Sequence, residues 1–217
     1  PYSIFKLIPA LFIVNIMVAC NNNESINNNS SPASKPAPAS RLPEPDILQR
    51  LTTQKDLIDT MLYNAVCTSE SFGLTTEGKV IKIADEQEES DMFSTIYLVV
   101  KNKLGAIVRI SESPYSQSGD WSVSVIYYFD KNNRTFALEK NYATFHSLCN
   151  DEAVAEQRTI FYDKNMNTIN NVRIVTGDGN RVVADSCIVP FYDDYAVLPD
   201  AGAFLKHFGI DTIGRKL

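Results

Sequence analysis

The chain has 217 residues, 44% of them hydrophobic and 21% charged, which is ordinary globular usage with room for one substantial core. Its 20 Lys and Arg against 26 Asp and Glu leave a net charge of -6, and the first 46 residues hold equal numbers of each sign. The deficit therefore belongs to the remainder, and it argues against a nucleic-acid partner, whose phosphates demand clustered Lys and Arg.

In chain order, the apolar run Leu7 to Val18 follows Lys6 and stops at Ala19-Cys20, the order of charge, greasy core and small residue found in a signal peptide. About twenty apolar residues are needed to cross a bilayer core, and this run is shorter and carries Pro9 and Asn15. Residues 1–19 are therefore expected to be cleaved. Residues 20–45 hold almost no apolar side chains and many Asn, Ser, Pro and Ala, so they bury too little to offset their ordering entropy. They read as a tether, flexible in the Asn/Ser half and extended in the Pro-rich half.

The tetrapeptide Met17-Val18-Ala19-Cys20 resembles the bacterial lipobox, with Met17 where Leu is commoner. That resemblance implies that Cys20 is diacylated, that the leader is cut before it, and that the new amino terminus is acylated again. Several acyl chains anchor far more firmly than one. Together with the Asn-rich tether, the motif resembles lipoproteins of the Bacteroidetes type, which implies a cell-envelope location and no particular activity. Asn21, rather than Asp, after the cysteine is compatible with outer-membrane sorting under the enterobacterial rule.

Residues 46–217 read as one α+β domain. Asp46 with Gln49 forms a capping pair, and apolar residues from Ile47 to Ala65 recur at helical spacing, so an amphipathic helix is expected over about 47–66. Strands are expected at Lys79–Ile83, Phe93–Val100, Ala106–Ser111, Trp121–Phe129, Thr135–Lys140, Arg158–Tyr162, Val172–Val175 and Arg181–Ala184. The acidic run Asp85 to Asp91 reads as a solvated loop between two of them. Turns carrying Gly or Asn, at 102–105, 130–133 and 177–180, make neighbouring strands antiparallel. The expected fold is a meander of about six to eight strands with the helix on one face.

In Trp121–Phe129 the alternation places Trp121, Val123, Val125, Tyr127 and Phe129 on one face, so this strand is expected to be central. Tyr128-Phe129-Asp130-Lys131-Asn132-Asn133 is echoed by Phe161-Tyr162-Asp163-Lys164-Asn165-Met166, which predicts two hairpins built alike. These resemble the YYFD-type hairpins of uncharacterised Bacteroidetes envelope proteins, a likeness that implies fold alone. Pro199-Asp200 before Ala203 to Phe208, with Gly209 after, predicts a short C-terminal helix.

Chemistry is harder to find. Asp163-x-Asn165-x-Asn167 opens like an EF-hand, but Thr168 replaces the turn Gly and Ile174 the closing Glu, so turn geometry explains it and no metal is expected. His146 precedes Cys149 by three residues, a spacing that at the exit of a strand does not guarantee the facing side chains a nucleophile pair needs, and His207 falls in the last turn of the C-terminal helix. Of Cys67, Cys149 and Cys187, two would pair in an oxidising compartment, with the choice open. No catalytic set and no cofactor motif is recognised. The remaining candidates are aromatic residues in polar loops, Tyr115 in one and Tyr192 and Tyr195 in another, as contacts for a protein, peptide or glycan. The leading expectation is a non-enzymatic, membrane-anchored envelope lipoprotein that binds a partner. The alternatives are a hydrolase of glycan or peptide whose carboxylates the sequence does not locate, acidic pairs such as Asp193-Asp194 being explained as a solvated turn, and a structural envelope component.

Overall fold

The computed structural model describes residues 46–84, 92–149 and 152–210. The leader, the tether with Cys20, and the acidic run from Asp85 to Asp91 lie outside the described residues.

The elements are α1 (Ile47–Tyr63), β1 (Thr68–Thr75), β2 (Val80–Ile83), β3 (Phe93–Lys101), β4 (Ile107–Pro114), β5 (Trp121–Phe129), β6 (Thr135–Thr144), β7 (Val154–Tyr162), β8 (Thr168–Thr176) and α2 (Ala201–His207). The strands form one antiparallel sheet in the order β2-β1-β3-β4-β5-β6-β7-β8. From β3 onward it is a simple meander. At its start β2 folds back to the edge, so β1 has a neighbour on each side.

Three hairpin turns at one end of the sheet share a single device. Asn102, Asp130 and Asp163 each accept, through Oδ1, the backbone N–H groups two and four residues on. The residue three places on takes a positive φ, Gly105 at 77°, Asn133 at 61° and Met166 at 64°. A short side-chain acceptor thereby supplies the hydrogen bonds that the turning backbone cannot make to itself. At Asp163 this confirms turn geometry as the use of the Asp-x-Asn-x-Asn run.

Period-two alternation divides the sheet residues between two faces. On one, Val100, Val108, Ile126, Tyr128, Phe136 and Phe161 meet Leu51 and Ile58 of α1, with Leu48, Met61 and Leu62 packed around them. Asp46 caps α1 by accepting from the Leu48 N–H, and the helix stops three residues short of the expected end because Ala65 turns left-handed at φ 53°. On the other face Tyr97, Ile110, Val125, Tyr127, Leu138 and Val175 meet Ile188, Ala201, Phe204 and Ile210 from the C-terminal segment. Phe204 is fully buried, its ring 4.9 Å from Tyr127 and 4.6 Å from Phe208. Asp200 starts α2 by accepting from the Ala203 N–H, and Gly209 ends it at φ 70°. Where a strand was expected at Arg181–Ala184, the chain makes only a short return along β8, bridging Val182 to Thr176 and donating from Val183 N to the Val175 carbonyl.

Charge is buried under α1. The Lys55 ammonium lies 2.7 Å from Glu139 on β6, 2.9 Å from Asp59 and 4.8 Å from the centre of the Tyr128 ring, whose hydroxyl donates to Asp59. Burial alone would lower the Lys55 pKa, but the electrostatic influence of Tyr128 and of the Glu139 carboxylate and the hydrogen bonds to Glu139 and Asp59 outweigh it and hold it above the usual lysine range. The side chains of Lys55 and Glu139 are only 13% and 9% exposed, so removing Lys55 leaves Glu139 buried without its closest counter-charge, with only the weaker influence of Arg109. Lys55→Met is expected to cost about 3–5 kcal/mol in urea unfolding, and Lys55→Met with Glu139→Met to recover most of that loss. Additive effects of the two changes would contradict this pairing.

Candidate functional site

The face opposite α1 carries an unusual number of polar side chains for a sheet interior, and the segment that covers it explains them. Residues 185–200 cross the sheet without forming a strand, so their backbone groups lack ladder partners. Donors standing on the strands supply them. The Lys140 ammonium donates to the Phe191 carbonyl at 2.5 Å, the Tyr127 hydroxyl to Ala196 at 2.7 Å and the Thr135 hydroxyl to Leu198 at 2.6 Å. The Thr135 N–H adds a bond to Pro199.

Lys140 is fully buried and lies 2.5 Å from Asp193 and 3.8 Å from Glu156, which is itself held by Arg173 at 2.8 Å. Asp185 closes the chain of charges with a 3.3 Å contact to Arg173. The covering segment is thus clamped by ion pairs as well as by hydrogen bonds. Each carboxylate brought together here has a cationic partner, and Glu156 is nearly inaccessible.

Glu112 on β4 is the exception. It is 4% exposed, its Oε1 accepts the Tyr192 hydroxyl at 2.5 Å, and its Oε2 is buried with no hydrogen-bond partner. Burial pushes its pKa above the ordinary carboxylate range, against the opposing effects of the Tyr192 hydrogen bond and of His207. The same carboxyl, with burial, raises the phenols of Tyr97, Tyr127 and Tyr192. A carboxyl in such a place ionises less readily than an exposed one.

At the end of the sheet away from the Asx turns, the β4–β5 and β6–β7 loops meet the covering segment. Cys149 and Cys187 are joined in a disulfide and the Leu148 N–H donates to the Cys187 carbonyl, while Cys67 is a free thiol packed near α1. The pairing left open by the sequence is thereby resolved, and Cys149 has no thiolate to offer as a nucleophile. Nearby, Asp120 accepts from the Ser118 hydroxyl and lies 2.9 Å from His146 Nε2. Ser118 and then His146 hold the Asp120 carboxyl below its ordinary range. The carboxylate, rather than the imidazole, occupies the centre of this trio, so the order is not that of a Ser-His-Asp relay, in which the imidazole faces the serine.

The same end exposes large apolar side chains. Phe145 is 64% exposed, Leu148 66% and Val189 49%, beside Trp121 and Phe191 whose rings pack 4.9 Å apart. Tyr115 stands at the edge of an open cleft of about 460 Å³ formed with Phe93, Ser94, Gln117, Ser118 and Trp121. Of the three tyrosines singled out in the sequence, Tyr115 is therefore at the surface. Tyr192, at φ 54°, turns its hydroxyl inward to Glu112, and Tyr195 packs against the core, so the structure does not bring the three together. The residues that sequence reasoning missed are Phe145, Leu148 and Val189, isolated apolar residues between polar ones that carry no periodic signal. Among the described residues no group of three or more His, Cys, Asp or Glu is placed to hold a metal ion.

Comparison of the chain with protein-family models, with curated proteins and with solved structures finds no match in any of the three.

Two expectations follow from this site. Because the Glu112 pKa is raised on folding, its contribution to stability is complete below the ordinary carboxylate pKa and is lost as pH rises through the elevated value. Glu112→Gln, which keeps an acceptor for Tyr192, should remove that part of the pH dependence; urea midpoints measured from pH 4 upward would show it, and parallel profiles for the two proteins would refute it. Breaking the disulfide releases a loop with a sequence separation of 38 residues. The paired Cys149→Ala and Cys187→Ala change should lower stability by about 4 kcal/mol by loop-entropy reasoning, read as a shift in unfolding midpoint without reductant.

Proposed function

We propose that the chain is a lipid-anchored, non-enzymatic protein of the cell envelope, held by Cys20 and using the loop end of its β domain to bind a protein or peptide. The observation that carries the binding role is the exposed apolar rim of Phe145, Leu148 and Val189 beside Tyr115 and Trp121. Apolar groups exposed on loops over a rigid sheet are the usual make-up of a contact surface, and the aliphatic Leu148 and Val189 among them favour a protein or peptide over a glycan.

Three further features support the reading. The polar groups best suited to catalysis, Lys140, Glu156 and Glu112, are buried beneath the covering segment and engaged in holding it. The Cys149–Cys187 disulfide suits an oxidising compartment outside the cytoplasm. The leader, the lipobox-like Met17–Cys20 and the Asn/Ser/Pro tether supply the address and the anchor. No helix among the described residues is long and apolar enough to cross a membrane, so the described domain offers no helical anchor of its own.

The test is affinity capture from the native envelope with the wild-type chain and with Phe145→Ser and Leu148→Ser combined, alongside the mass of the Cys20 peptide. A partner retained by the wild type and reduced at least tenfold by the variant, at unchanged thermal midpoint, is the expected result. Equal recovery by both would remove the rim from the interface, and an unacylated Cys20 still joined to its leader would remove the anchor.

A further inference from the structure

The turn end of the sheet differs from the loop end in charge. The three Asx turns each place a lysine immediately after the Asn or Asp, at Lys103, Lys131 and Lys164, and all three are exposed. Between α1 and the turns following β5 and β7 lies a cleft of about 770 Å³ whose lining includes Arg50, Lys131, Arg134 and Lys164.

The acidic groups at this end are turned onto donors of the protein itself. Asp130 accepts from the Asn132 and Arg134 backbone N–H groups and from the Arg134 guanidinium, and Asp163 from the backbone of Asn165 and Asn167 and the Asn167 amide. Asp46 and Asp200 cap α1 and α2. By contrast, among the described residues no carboxylate forms an ion pair with Lys103, Lys131 or Lys164, although Lys164 is close enough to help lower the Asp163 pKa.

Two apolar side chains stand among these charges. Leu104, at the tip of the β3–β4 turn, is 92% exposed, and Ile47, at the start of α1, is 41% exposed. The chain that leads back to Cys20 also leaves from here, because Ile47, Arg50 and Leu51 line the same cleft as Lys131 and Lys164. We infer that this end of the domain docks on an anionic bilayer surface, with Lys103, Lys131, Lys164 and Arg50 facing lipid phosphates and Leu104 entering the headgroup layer.

The inference rests on the lipid anchor of the proposed function, which holds the domain within reach of a bilayer. Charge then selects the orientation. A chain of net charge -6 is repelled by an anionic surface in most orientations, so contact is favourable only where acids are neutralised locally and lysines stand free. It also leaves the apolar rim at the opposite end of the sheet directed away from the membrane.

The experiment uses the lipidated wild-type chain in vesicles of phosphatidylcholine, with or without phosphatidylglycerol, and reads lysine exposure by amine acylation and peptide mass spectrometry. Lys103, Lys131 and Lys164 should be labelled at least about fivefold less in the anionic vesicles. Lys79, 75% exposed in the β1–β2 turn at the loop end, should be labelled equally in both. Lys131→Gln should raise labelling of Lys103 and Lys164 about fivefold, and roughly 1 M salt should abolish the protection. Equal labelling of the three lysines in the two vesicle types, or protection centred on Lys79, would overturn the docking. If Cys20 proves unacylated, the anchor fails separately, and the same footprint with the chain added to preformed vesicles decides the contact alone.

Discussion

An irregular segment laid across a sheet must find hydrogen bonds for its backbone where water is excluded, and much of the structure follows from how this chain meets that demand. A carbonyl buried without a partner costs on the order of a few kcal/mol, so several together would forbid the arrangement. The strands answer with Lys140, Tyr127 and Thr135, each aimed at a carbonyl of residues 185–200. Once Lys140 is buried, its own charge requires Asp193 and Glu156, and Glu156 in turn is held by Arg173. The polar inner face is thus one connected answer to a backbone problem, and Lys140, Glu156 and Arg173 each have structural work in it.

The two faces are closed by different means. Beneath α1 the helix satisfies its own backbone, so the interface needs only apolar packing and the Lys55–Glu139 pair. Beneath the C-terminal segment the cover depends on side chains it meets, on α2 with Phe204, and on the disulfide to Cys149. The second closure is the more conditional of the two, and Glu112, with one buried oxygen unpartnered, lies under it.

Much of the fold was legible because the signals were strong and local. The alternation of Trp121–Phe129 named the residues that share the face packed by the C-terminal segment, and the Asp-Lys-Asn echo named two turns that prove to share one hydrogen-bond pattern. β1 was not legible. Its sequence, Thr68–Thr75, is mostly Ser, Thr and Glu with Gly73 in the middle, a residue that weakens a strand by propensity. The structure explains that glycine, since a Cβ there would stand 2.2 Å from the Phe93 ring. The covering segment was illegible for a related reason, because its order comes from partners distant in sequence, such as Lys140 and Glu112, rather than from any period of its own. Tyr192 looked like a surface aromatic because nothing local betrays the carboxyl it reaches 80 residues away.

The cross-link between Cys149 and Cys187 encloses β7, β8 and the turn between them in a covalent ring. A protease that clips the exposed Lys164 tip therefore opens the ring without dividing the molecule, since both fragments stay joined through sulfur. In a compartment rich in hydrolases, a nick at this protruding loop would leave an intact, still assembled protein.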